Sequence, residues 1–165
     1  MSERIHSIKT LVTKKSAASI TRPANTTAYT AGDVLSGADD GHFVFVDSIN
    51  PSAKTGEVIG ATITLDVSQA TPPNIDLVLF SADTADQADN GAVSFTDAEM
   101  ATVVGVINFN DWFDGGNSMV QVASASIPFQ LGGKNLYGQA VVQNAYTPTS
   151  GESFTVTLMV RQDKS

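Results

Sequence analysis

The sequence predicts an all-β fold of two packed antiparallel sheets, and three observations predict it. Apolar and polar residues alternate at the two-residue period of a half-buried strand, most cleanly where Phe154, Val156, Leu158 and Val160 interleave with Thr155, Thr157 and Met159. Clusters of Gly, Pro, Asn and Asp separate such stretches at short intervals, as in sandwiches and barrels. Only Thr96-Asp97-Ala98-Glu99 carries a convincing helix start, a capping box that predicts one or two turns over 97–102.

Taken in order, 7–13 alternates Ile8, Thr10 and Val12 with Lys9, Leu11 and Thr13, and its lysine suits an edge strand; 16–21 is a candidate partner for it. Pro23 ends any ladder there, and Gly32-Asp33 turns the chain into a short strand at Val34-Leu35. A Gly- and Asp-rich loop over 36–41 precedes a strand from His42 to Val46. Residues 56–80 hold two strands around a turn. In the first, Ile59, Ala61, Ile63 and Leu65 share a face; in the second, Ile75, Leu77 and Leu79 do, with Val78 and Phe80 opposite. Pro72-Pro73 between them forces the chain out of the sheet.

A polar connection over 81–95, with Asp83, Asp86, Asp89 and Asn90, leads to the capping box. Strands follow at 103–109 and 118–126, separated by a wide turn carrying Trp112 and Phe113. Pro128 and Gly132-Gly133 delimit a short segment, 129–131; strands at 135–143 and 153–160 close the chain around a turn at 146–151. No βαβ order and no repeat period is present, so the economical architecture is a two-sheet sandwich of jelly-roll type with one short helix.

The 165 residues suit one domain, and 42% hydrophobic with 16% charged residues argues for a folded chain. Without cysteine there is no disulfide framework, thiolate metal site or cysteine nucleophile. The first thirty residues lack a signal-peptide apolar core, and no run approaches the roughly 20 apolar residues of a membrane helix, so a soluble cytoplasmic product with no membrane partner is expected. Charge is divided unevenly. Residues 1–22 carry Arg4, Lys9, Lys14, Lys15 and Arg22 against Glu3 alone, net +4, whereas 23–165 carry four cations against sixteen carboxylates, net −12. This predicts a basic, partly extended arm over 1–22 and a single sandwich domain over 23–165. The acidic body repels phosphate backbones, so no nucleic-acid partner is expected, and the five arm cations are the candidate partner-binding residues.

No enzyme and no cofactor is predicted. The histidines are His6 in the arm and His42 at a strand start, and no G-x-S-x-G elbow accompanies them. Gly132-Gly133-Lys134 lacks both the first glycine and the Ser or Thr of a phosphate loop. Asp83, Asp86, Asp89 and Asn90 offer hard oxygens at no calcium-loop spacing, so no metal site is assigned. Trp112 and Phe113 with Tyr146 are the aromatics from which a sugar-stacking platform could be built, although aromatics flanking Gly turns in sandwiches more often plug an open end of the core.

The run Ile20-Thr21-Arg22-Pro23-Ala24-Asn25-Thr26-Thr27-Ala28-Tyr29-Thr30-Ala31-Gly32-Asp33-Val34 resembles the N-terminal signature of a group of tailed-bacteriophage virion proteins. Several of these are capsid decoration, or cement, proteins with a jelly-roll fold. Similar segments follow in the same order: Gly60 to Ile63, Leu79-Phe80, Val104 to Phe109, Leu136 to Gly138 and Ala145 to Leu158. The resemblance implies a non-enzymatic protein that binds the outside of an assembled head, often as a homodimer or homotrimer, and bridges subunits of the major capsid protein. The expected location is the outer surface of the virion head, after assembly in the host cytoplasm. A tail- or fibre-associated module binding carbohydrate is the alternative expectation.

Overall fold

The computed structural model describes residues 10–50 and 52–163. Ten strands and one helical turn follow in order: β1 (Leu11–Thr21), β2 (Val34–Leu35), β3 (Phe43–Phe45), β4 (Thr55–Leu65), β5 (Ile75–Phe80), α1 (Asp97–Met100), β6 (Val103–Phe109), β7 (Phe113–Asp114), β8 (Met119–Gln130), β9 (Leu136–Val142) and β10 (Ser153–Asp163). They form two antiparallel sheets, ordered β1-β10-β4-β8-β7 and β2-β9-β5-β6, with β3 also on β9. Pairing is nested: β1 with β10, β2 and β3 with β9, β4 with β8, and β5 with β6. An antiparallel ribbon rolled up in this way is a jelly roll. β2 and β3 lie along the same edge of β9 and act as one strand interrupted by the loop over 36–42.

Strand alternation builds the core. In β10, Phe154, Val156, Leu158 and Val160 are fully buried, beside Ile63 and Leu65 of β4 and in one apolar cluster with Leu77, Leu79 and Phe109 of the other sheet. Because β10 lies between β1 and β4, truncating Phe154 to Ala would cost about 3–5 kcal/mol. Register shifts between Val58 and Gly60 mark a β-bulge, which turns Val58 inward and leaves Ile59 half-buried. Ile59 therefore does not share the inner face of Ala61, Ile63 and Leu65, because a bulge resets the two-residue alternation.

Three expectations need correction. Residues 11–21 form one continuous strand, not two paired pieces, because Thr13-Lys14-Lys15 at the expected junction contains no turn former; residues 7–9 of the first piece lie outside the described residues. This strand pairs with β10 along its whole length, so the sandwich begins by Leu11, not at residue 23. Finally, β8 runs through Pro128. Its partner there is Glu57 on β4, while β7 reaches only Met119 and Val120 on the other side, so the proline's missing N–H falls on an unpaired edge. The capping box forms as the sequence predicts: Thr96 Oγ1 accepts from the Glu99 N–H, and the Thr96 N–H donates to Glu99.

Candidate functional site

Among the described residues, the candidate contact residues Lys14, Lys15 and Arg22 do not form one patch. Arg4 and Lys9 lie outside the described residues. Lys14 and Lys15 are neighbours on β1 and so project to opposite faces: Lys15 outward beside Met159, and Lys14 on the inner-facing side, half-exposed. There Lys14 adds to the field at Asp47, whose carboxyl is held below its usual range chiefly by a hydrogen bond from Lys134 at 2.6 Å.

Arg22 is the exception that matters. Its side chain is wholly buried, so the expectation of an exposed contact residue does not hold. Inward parity from Ser16 through Ala18 and Ile20 carries on to Arg22, and a buried cation needs a carboxylate. Asp89 supplies it, 2.9 Å from Nη2. Arg22 Nε donates to the hydroxyl oxygen of Tyr29, and the Tyr29 hydroxyl donates to Asp89 at 2.5 Å. The Asp89 oxygen that accepts from Tyr29, Oδ1, also accepts from the Ser36 backbone N–H, at 3.0 Å. Burial would depress the Arg22 guanidinium, but Tyr29 and Asp89 outweigh it and hold it above its ordinary value.

A second knot adjoins the first. The Tyr29 and Tyr146 rings stack with centroids 5.8 Å apart, and their backbones exchange hydrogen bonds. The Tyr146 hydroxyl donates to buried Glu152, which also accepts from Gln69 at 2.8 Å and from the Thr149 N–H at 3.0 Å. The Arg22 N–H donates to the Glu152 carbonyl, which fastens the end of β1 to the turn before β10. Burial is the main reason both tyrosine hydroxyls are pushed well above their ordinary range, with Asp89 and Glu152 adding to it.

The remaining sequence candidates are tied into the fold. His42 is nearly buried between Asp86, 3.1 Å from Nδ1, and Asp83, 3.1 Å from Nε2, so both ring nitrogens are committed to the polar connection over 81–95. Asn90 takes a positive φ of 62° and donates to the carbonyls of Thr27 and Ala28. Tyr146 is buried, and Trp112 is half-buried with its indole N–H donating to the Pro73 carbonyl at 2.7 Å. Phe113 alone of these three aromatics is exposed, so together they offer no open stacking platform. Sequence reading missed the partnership of Arg22 with Asp89, which are 67 positions apart; the inward parity of Arg22 was the available signal.

No family model and no curated protein matches the chain. Three solved structures to which it is similar are capsid structures. One is the capsid asymmetric unit of cyanophage Pam1, 16% identical with a TM-score of 0.41, covering 98% of this chain and 91% of that one. Another is the decameric BFDV capsid protein, 11% identical with a TM-score of 0.39, covering 93% and 99%. The third is the acid-stable capsid of Helicobacter pylori bacteriophage KHP30, 12% identical with a TM-score of 0.34, covering 93% of each. The jelly-roll assignment rests on the nested strand pairing, independently of these likenesses.

Proposed function

We propose that this chain is a structural protein of a tailed-bacteriophage virion, one that binds the outside of the assembled head and stabilises it by bridging major capsid protein subunits. One observation carries the reading. The two longest segments resembling virion proteins, Ile20 to Val34 and Ala145 to Leu158, pack together through Arg22, Tyr29, Tyr146 and Glu152. The resemblance therefore follows a buried structural unit instead of scattered turns. The acidic body suits a protein that stays soluble and off DNA, and the basic segment around Arg4, Lys9, Lys14 and Lys15 suits contact with an acidic capsid surface.

Purified heads incubated with the protein should retain it at a fixed stoichiometry, and heads assembled without it should lose DNA at lower temperature. Recovery only with tails would overturn the head assignment.

A further inference from the structure

The outward face of the β1-β10-β4-β8-β7 sheet has an unusual composition for a chain of net charge −8. Strand register places Ser19, Thr155, Thr64, Val120 and Phe113 in one row across all five strands, and Ala17, Thr157, Thr62 and Val122 in the next. Neither row contains a charge. Ser19 and Thr155 hydroxyls pair at 2.7 Å, and Thr21 and Ser153 pair at 2.8 Å beside them, so much of the polar surface is already satisfied within the face. Phe113 and Val122, 71% and 67% exposed, are the most exposed large hydrophobics among the described residues, and both lie here. On the other sheet the outward positions Gln139 and Val141 of β9 are buried.

Charge returns only at the two ends, with opposite sign. One end carries Lys15, and Arg161 offset by its ion pair with Glu57; the other carries exposed Asp66.

We propose that this face is a homotypic interface, on which a second copy packs face to face about a twofold axis running across the strands. Two acidic chains can approach only where like charges are absent, and these rows meet that condition. An axis across the strands also sets the Lys15 end of one copy against the Asp66 end of the other, whereas an axis along the strands would juxtapose like charges. Five strands at about 4.8 Å spacing give a patch about 20 Å wide, the size of a modest, reversible interface. Phe113 and Val122 are its apolar anchors.

Sedimentation velocity on the full chain tests this without reference to the head assignment. The expected result is a concentration-dependent monomer–dimer equilibrium across micromolar concentrations. Phe113→Asp and Val122→Glu should each weaken it at least about tenfold, while Val106→Glu on the opposite sheet should not. Lys15→Asp and Asp66→Lys should weaken it singly and restore it together. If the charged variants fail to fold, Phe113→Ser and Val122→Thr, which remove apolar area without adding charge, should weaken association in the same direction. A chain that stays monomeric, or a dimer indifferent to every change at Phe113 and Val122, would overturn the proposal; failure of the charge swap to restore association would overturn the orientation.

Discussion

The Arg22 guanidinium lies over the ring of Tyr29, 4.7 Å from its centroid, while both side chains hold the same Asp89 carboxylate. This contact fixes the point where the chain leaves β1 and crosses to the second sheet. Replacing Arg22 by Met should cost about 3–5 kcal/mol, because Asp89 would be left buried and unpaired. Tyr29→Phe should cost about 1–3 kcal/mol. Urea denaturation of the purified variants checks both, and an Asp89→Leu change added to Arg22→Met should recover part of the loss.

Alkali should destabilise the protein. Tyr29 and Tyr146 are held protonated in the folded state above their ordinary value of 10.0, so the unfolded chain binds fewer protons there and stability declines as pH rises. The stabilisation is intact below about pH 10 and falls beyond it by up to about 1.4 kcal/mol per pH unit for each tyrosine. Melting temperatures between neutral and strongly alkaline pH should show this fall, and Tyr29→Phe with Tyr146→Phe should flatten it.

The two sheets meet closely at β6 and β8. A Cβ at Gly105 would lie 2.8 Å from Cγ2 of Ile127, so Gly105→Ala should destabilise by about 1–3 kcal/mol through overpacking. Combining it with Ile127→Ala should cost less than the sum of the single changes, and a double-mutant cycle by denaturation measures the difference.

Trimming the N-terminus should separate capsid contact from folding. Removing residues 1–8 should weaken head binding while leaving the melting temperature of the body unchanged, if Arg4 contributes to contact. Removing residues 1–15 should lower the melting temperature as well, because Leu11 to Lys15 pair with Met159 to Asp163.

Strand identity was legible wherever one face is buried, since alternation in β10 and β5 reports burial directly. The capping box was legible because both its partners are local. Less visible were features set by residues distant in sequence. The bulge at Ile59 depends on the registers of β8 and β10, and the continuity of β8 through Pro128 depends on which side of the strand lacks a neighbour. Charge alone assigned Arg22 to the surface arm. Its burial with Asp89 required knowing that the 81–95 connection folds back over β2, where Asn90 and Gly91 bond to Val34.

The nested pairing has a consequence for synthesis. β10 follows every other strand in the chain, yet it sits between β1 and β4, separating two strands made much earlier. While the chain emerges, β1 and β4 each wait with an unpaired edge, and the sheet that bears Phe113 and Val122 cannot take its final form. A chain stopped short of Ser153 would lack an interior strand rather than a tail, so only a finished copy presents that surface to another molecule.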